Sequence, residues 1–152
     1  MSRESPVARL QSVWREFLAA SLATERLRAA ARSDSSVFAT EELGPADIEA
    51  CARNLEPTYL VRLFAEFEAA LRLYWRDNRR RRTWNTIGAE ALIQSVGAYR
   101  EIPAPVVASA QEAREFRNHL VHQAETTEAA AISLRECRSR LCRFLSSLPL
   151  RW

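Results

Sequence analysis

Apolar side chains recur every three or four positions along much of the chain, which is the spacing of residues on one face of an α-helix. The first such stretch follows Ser5 and Pro6, a pair that favours a helix start, and extends to about Arg32. Residues 33–40 are polar and aperiodic, which predicts a loop. The apolar positions of this first predicted helix are Leu10, Val13, Trp14, Phe17, Leu18, Leu22 and Leu27.

The same periodicity predicts further helices downstream. Pro57 is placed at the start of one of them, because proline is tolerated in the first turn of a helix. The last helix is predicted to follow an N-cap at Thr126 or Thr127 and to end at Pro149. The predicted helices between the first and the last are residues 46–54, 57–77, 86–99 and 105–122.

No alternating strand pattern, hairpin turn or repeat interrupts these helices. The pattern therefore predicts an all-α fold, an antiparallel up-and-down bundle of about five to six helices. One domain is expected over residues 1–152, with an N-terminal helix at 1–32 and the rest of the bundle at 57–149. Strict alternation of direction also predicts that the end of the helix at 57–77 and the end of the helix at 105–122 share one pole.

Charge adds a candidate partner. The sequence contains 22 Lys and Arg residues and has a net charge of +3, and every one of these cations is arginine. A coding sequence rich in G and C produces the same bias without any functional cause. Guanidinium groups nevertheless suit bidentate contacts with phosphate, so a polyanionic partner is compatible with this composition.

The composition excludes two classes of protein. The three cysteines form no CxxC pair and are odd in number, which favours reduced thiols over a disulfide framework. No segment approaches the ~20 apolar residues that span a bilayer, and residues 1–15 lack the apolar run of a signal peptide. A soluble, cytoplasmic protein without membrane contact is expected.

The stretch at residues 114–123, REFRNHLVHQ, concentrates the candidate chemistry, because it holds both histidines, His119 and His122. On a helix, Asn118 and His122 lie four residues apart on one face, with Arg117 at its flank. Arg117 falls in the apolar stripe where a core helix usually carries leucine. A charge in that position requires a partner or a function.

Each of these residues has an alternative, purely structural explanation. Arg117 can close a buried ion pair with Glu68 or Glu90, and His122 can stabilise the helix C-terminus, where cations are favoured. His119 and His122 have a spacing that suits metal binding, but no third ligand is evident and zinc sites use three or more protein ligands. Neither a metal nor a cofactor is therefore predicted.

The string at 117–122, RNHLVH, resembles the signature of the HEPN domain superfamily. In that superfamily an arginine, a polar residue and a histidine four to six residues after the arginine mark the helix that forms an RNA-cleaving site. The stretches LVRLFAEFEAALRLYW at 60–75 and RLCRFLSSLP at 140–149 are similar to other helices of the same bundle. The resemblance implies a metal-independent endoribonuclease that acts as a homodimer, with two motifs facing each other across a cleft.

The resemblance makes Arg117, Asn118 and His122 the expected catalytic residues. His122 would move a proton to or from the reacting oxygens, since neutral imidazole titrates near pH ~6.5. Arg117 would hold the phosphate oxygens as negative charge develops, and Asn118 would fix the tautomer of the imidazole. The expected products are a 2′,3′-cyclic phosphate and a 5′-hydroxyl.

RNA binding is expected at His119 and at a run of four arginines, for which a solvated charge run is the structural alternative. Trp75 and Trp84 flank the run and are either base-stacking faces or core residues. The predicted shared pole would place this run beside His122. The run consists of Arg79, Arg80, Arg81 and Arg82.

The implied biological role is that of a toxin in a toxin-antitoxin or phage-defence system, opposed by an antitoxin protein of the nucleotidyltransferase type or another kind. Some HEPN toxins carry a tyrosine two residues after the motif histidine that a partner nucleotidyltransferase modifies, but Ala124 occupies that position here. Two other functions are compatible with the sequence: a non-catalytic HEPN module that binds a protein or nucleotide, and a helical adaptor without a nucleic-acid role.

Overall fold

Each predicted stretch of helical periodicity forms helix in the structure, a computed structural model that describes residues 5–38, 42–79, 86–122 and 131–149. These residues contain five α-helices, one 3-10 helix at Ser35–Phe38 and no strand, which confirms the all-α prediction. The α-helices are α1 Pro6–Ser33, α2 Pro45–Arg79, α3 Ala89–Tyr99, α4 Ala104–His122 and α5 Leu134–Ser146.

Helix α1 begins where the sequence predicts. The Ser5 side chain accepts a hydrogen bond from the Ala8 N–H at 3.2 Å, and Pro6 occupies the first turn. The helix ends at Ser33, where the Asp34 N–H donates to the Ala30 carbonyl at 2.9 Å. The predicted start and end are therefore confirmed to within one residue.

Helix α2 is continuous through Pro57, so the predicted division into helices at 46–54 and 57–77 is wrong. Proline lacks an N–H and usually ends or bends a helix, and the sequence alone favours a start there. The Thr58 hydroxyl donates to the Asn54 carbonyl at 2.6 Å in the same turn. Ion pairs with α1, formed both before and after the proline, favour a continuous helix.

That pairing consists of ion pairs that make α1 and α2 an antiparallel hairpin. The Arg28 Nη2 atom is 2.6 Å from Glu49 before the proline, and the Arg28 guanidinium lowers the pKa of the Glu49 carboxyl. Arg62 pairs with Glu16 after the proline. Residues far apart in sequence therefore hold α2 straight enough to follow α1, which a local pattern cannot reveal.

A ladder of aromatic rings crosses the core between α2 and α5. The ring centroids of Phe64 and Phe67 are 5.6 Å apart, and Phe144 of α5 meets Phe67 edge-on at 5.5 Å. Phe64, Phe67 and Phe144 are fully buried. The other large, fully buried side chains are Tyr74, Leu10, Leu60, Leu63, Leu71, Leu92, Ile93, Leu134 and Leu141.

Helices α3 and α4 approach each other closely at Gly97. A Cβ atom at this position would lie 2.7 Å from Cγ2 of Val107, a distance that real Cβ contacts do not reach. Because valine in a helix is restricted to one rotamer, the neighbour has little room to move away. Helix α3 begins at Ala89 rather than at the predicted residue 86, with Gly88 as N-cap.

Helix α4 runs antiparallel to α2, so the prediction that their ends share a pole is wrong. Arg117 pairs with Glu68, and Leu120, further along α4, lines a groove with Leu60, earlier in α2. Arg79, the last residue of α2, is eleven residues beyond Glu68, or about 16 Å along a helix of 1.5 Å per residue, in the direction away from the end of α4.

The physical reason is the short α3. It packs against the C-terminal half of α2, where Arg72 donates to the Ile87 carbonyl at 3.0 Å and Tyr99 meets Trp75 edge-on at 6.1 Å. Helix α3 is therefore a short connection on one side of α2 and does not run back along its whole length. Helix α4 is the long helix that runs antiparallel to α2.

Helix α5 begins later than predicted. Its N-cap is Ser133, whose side chain accepts from the Glu136 N–H at 3.2 Å, and residues 131–133 are not helical. The Glu56 carboxylate of α2 accepts from the Leu134 N–H at 2.7 Å. The predicted N-caps, Thr126 and Thr127, lie outside the described residues.

The cysteine side chains are free among the described residues, and two of them are shielded from solvent. Burial raises the pKa of the Cys137 thiol to about 12 and also raises that of Cys142. Both thiols are therefore protonated and poorly nucleophilic near neutral pH. Cys51 is exposed.

Candidate functional site

Arg117 lies in the groove between α4 and α2, with 22% of its side chain exposed. Its guanidinium carbon is 4.8 Å from the ring centroid of Phe64, and its Nη2 atom is 3.6 Å from Glu68 Oε2. The ion pair with Glu68 is one of the two pairs that the sequence suggested. The arginine thus replaces an apolar core residue by covering an aromatic ring with its planar face.

Glu68 is shared between two arginines. Its Oε1 atom accepts hydrogen bonds from Arg72 Nε at 3.0 Å and Nη2 at 2.5 Å, while Oε2 faces Arg117. Arg72 is fixed in turn by its bond to the Ile87 carbonyl. Two cations and one carboxylate leave an excess of one positive charge in this half-buried group.

Arg117 retains donors for a further anion. Its distance to Glu68 is longer than a hydrogen bond, and within the described part of the chain its guanidinium donates no hydrogen bond. A half-buried guanidinium with available N–H groups is suited to bidentate binding of a phosphate. This availability is the property that a phosphoryl-binding arginine needs.

Arg114, three residues earlier on α4, provides an internal comparison. Arg114 lies five residues before His119, just as Arg117 lies five residues before His122. Its Nε atom donates to Gln111 at 2.7 Å, and its Nη2 atom lies 3.3 Å from Glu90. Arg114 therefore holds α3 against α4 and is already satisfied, which separates its role from that of Arg117.

Asn118 and His119 are both half-buried on α4. The Nδ1 atom of His119 is buried, and no described residue forms a hydrogen bond with it. His122 is the last residue of α4, one helical turn after Asn118, so their backbone positions share a face. The side chain of His122 lies outside the described part of the structure, and its role as a catalytic residue stays a prediction.

Of the arginine run, only the backbone of Arg79 lies among the described residues. Arg79 ends α2, but its side chain is outside the described set, as are Arg80, Arg81 and Arg82 entirely. Trp75 is almost completely buried against Tyr99, so its interpretation as a base-stacking face is wrong and its interpretation as a core residue is confirmed. Trp84 also lies outside the described residues.

A groove of about 460 Å³ lies between the last turns of α4, the part of α2 around Pro57, and the start of α5. Its lining includes Leu60, Phe116, Leu120 and Ile132, and Arg117, Asn118 and His119 do not contribute to it. The cavity is therefore distinct from the surface that Arg117 and Asn118 occupy.

The residues that sequence reasoning missed are Arg72, which holds Glu68, and Phe64, which supports Arg117. Phe64, Glu68 and Arg72 are spaced by four residues on α2, so they form one stripe along its surface. The four-residue spacing in the sequence predicts this stripe, but only the packing of α4 against it shows that the stripe belongs to the candidate site.

Metal and membrane sites are not found among the described residues. Over residues 5–38, 42–79, 86–122 and 131–149, no three His, Cys, Asp or Glu side chains are grouped so that they could hold a metal ion. In the same ranges no helix combines the length and the apolar character needed to cross a bilayer.

No protein-family model matches this chain, and no curated protein or solved structure matches it either. The HEPN resemblance consequently depends on the residues at 117–122 and on the helices around them, and functional conclusions drawn from it are proposals.

Proposed function

We propose that this chain is a metal-independent endoribonuclease of the HEPN type. The observation that carries the proposal is the state of Arg117: half-buried, stacked on Phe64, beside one carboxylate at 3.6 Å, and with donors that no described residue uses. It stands immediately before Asn118 and five residues before His122, in the order of the HEPN signature.

RNA supplies its own nucleophile, so the protein needs only to move protons and stabilise charge. The 2′-hydroxyl gives its proton to the imidazole of His122, and its oxygen forms a bond with the adjacent phosphorus. The bond from phosphorus to the 5′-oxygen then breaks, and that oxygen takes up a proton. Arg117 binds the non-bridging oxygens, whose negative charge increases in the transition state.

Separate base and acid roles require two histidines. Each chain contributes one motif histidine, His122. The proposal therefore includes a homodimer in which the partner copy provides the second imidazole. Val121, which adjoins His122 on α4, has 48% of its side chain exposed. In such a dimer Val121 would lie at or near the contact between the two copies.

The proposed biological role is that of a toxin in a toxin-antitoxin or phage-defence system, with cellular or phage RNA as substrate. The arginine run from Arg79 to Arg82 and His119 would contact the RNA backbone. Because Ala124 replaces the modifiable tyrosine, an antitoxin protein would act by binding this chain and not by modifying that position.

A non-catalytic HEPN module is the second candidate, and the Arg117–Glu68 pair favours it. Glu68, which Arg117 shares with Arg72, offsets part of the charge of Arg117 without any ligand, so a structural role also accounts for the burial of the arginine. The two functions differ in one property: a module of this kind binds RNA, a nucleotide or a protein but never cleaves RNA.

Cleavage in the presence of EDTA tests the proposal. Purified wild type is expected to cut a labelled RNA without divalent metal, and His122→Ala is expected to lower turnover by about 100-fold or more, since a general base contributes about that factor. His119→Ala should raise KM with little change in kcat, because it removes only an RNA contact. Binding by the wild type without any cleavage would instead establish the non-catalytic module.

A further inference from the structure

Two arginines of α5 stack on a tryptophan of α1 at an outer edge of the bundle. The guanidinium carbon of Arg138 is 4.7 Å from the ring centroid of Trp14, and that of Arg135 is 5.8 Å from it. Contact with an aromatic face restricts these long side chains. The edge therefore presents two cations beside one aromatic ring.

These cations have no carboxylate partner among the described residues. The acidic residues of α1 and α5 already pair with other arginines. Arg140, on the opposite edge of α5, is by contrast held by two carboxylates. The pairs that occupy the nearby carboxylates are Arg62 with Glu16, Arg28 with Glu25, and Arg140 with Glu136 and Glu112.

The apolar part of this surface continues from Trp14 along α1. Leu18 and Leu22 follow it at successive four-residue intervals, and these residues are 46% and 55% exposed. They are two of the large apolar residues that the described structure leaves most exposed. An apolar stripe beside two uncompensated arginines forms one surface, here called the α1–α5 edge and composed of Trp14, Leu18, Leu22, Arg135 and Arg138.

The α1–α5 edge is separated from Arg117 by the core. Arg117 covers Phe64, which contacts Phe67, and Phe67 contacts Phe144 on the inner face of α5. The aromatic ladder thus lies between the two surfaces. A ligand bound at this edge does not compete for Arg117 of the same chain.

We infer that the α1–α5 edge is the docking site for an acidic amphipathic helix of a partner protein. Leucines at four-residue spacing match the apolar stripe of such a helix, and its carboxylates would pair with Arg135 and Arg138. Tryptophan and arginine are also the residues that contribute most to protein interfaces.

The chemistry of this edge favours a protein helix over two other occupants. RNA would satisfy the arginines but would leave Leu18 and Leu22 in contact with water or with a charged backbone. A second copy placed by two-fold symmetry on the same edge would supply no carboxylate to pair with Arg135 and Arg138, because this edge contains no acidic residue. An acidic helix complements the cations and the leucines together.

Fluorescence anisotropy with a defined probe tests this inference. The probe is a labelled synthetic helix of about 16 residues, with leucines on one face and glutamates beside them, and the control peptide has lysine in place of glutamate. Arg138→Glu should weaken binding of the acidic peptide by about tenfold or more. Arg143→Glu changes the same charge on an exposed position of α5 away from the edge, and should alter binding by less than about twofold.

A second variant tests the apolar stripe without changing charge. Leu18→Ser combined with Leu22→Ser should also weaken binding about tenfold or more, with unchanged helical circular dichroism, because both side chains are exposed in the free protein. Four results would overturn the inference: no binding of the acidic peptide, equal binding of the lysine peptide, equal weakening by Arg138→Glu and Arg143→Glu, or tighter binding of a labelled oligouridine that depends on Arg138. Loss of a wild-type dimer in the leucine variant would assign the edge to a second copy instead.

Discussion

Replacement of Arg117 by alanine is expected to reduce RNA cleavage by about 100- to 1000-fold, the cost of removing one charge-stabilising donor from a comparable site. The fold should survive, because Glu68 keeps its two hydrogen bonds from Arg72 after the substitution. Initial rates under single-turnover conditions measure the effect, and far-UV circular dichroism with a thermal melt checks the fold.

Two matched variants separate the role of Arg117 from loss of an arginine in general. Arg114→Ala removes an arginine of the same helix whose donors are used by Gln111 and Glu90, so its cleavage rate should stay near that of the wild type. Arg117→Lys keeps the charge but loses the planar fork and the stacking on Phe64, and should recover only part of the rate. Wild-type cleavage by Arg117→Ala would remove this residue from the site.

Replacement of Phe67 by alanine should produce the largest loss of stability. Phe67 is fully buried and contacts Phe64 on its own helix and Phe144 on α5, so the substitution removes the centre of the aromatic ladder. The expected loss in the free energy of unfolding is about 3–5 kcal/mol, from lost burial and the cavity that remains. For a chain of this size the melting temperature should fall by about 10 °C.

The control for this substitution is Phe38→Ala. Phe38 lies in the 3-10 helix after α1 and outside the buried core cluster. Its replacement should cost about 1 kcal/mol or less, as at partly exposed positions elsewhere. Urea denaturation of both variants compares the two losses. Equal losses would contradict the position of the aromatic ladder at the centre of the core.

The sequence predicts well those helices whose caps and apolar stripes are set by neighbouring residues. Helix α1 has a serine cap and an apolar stripe, and both were visible in the sequence. The course of α2 through Pro57 was not predictable, because Arg28 and Arg62 hold it through partners in α1. The start of α5 also depends on a distant residue, because the Leu134 N–H donates a hydrogen bond to Glu56, 78 residues earlier in the chain.

The candidate site shows the same division between local and long-range information. The order of Arg117, Asn118 and His122 on one helix is local, and α4 includes all three. The sequence offers Glu68 and Glu90 as possible ion-pair partners of Arg117. In the structure α4 packs against both α2 and α3, so Glu68 pairs with Arg117 and Glu90 pairs with Arg114. The direction of α4 relative to α2 was missed for the related reason that α3 is too short to serve as a return helix.

We propose that Arg117 and His122 form a site that cleaves RNA through the 2′-hydroxyl without metal. End-group analysis of the fragments from a defined RNA oligonucleotide, cut in EDTA, tests it most directly, with the same oligonucleotide carrying 2′-deoxyribose at the cleaved position as control. Wild type should leave 2′,3′-cyclic phosphate and 5′-hydroxyl ends, and the deoxy control should resist cleavage. Fragments with 3′-hydroxyl and 5′-phosphate ends, cleavage of the deoxy control, or unchanged cleavage by His122→Ala would contradict it.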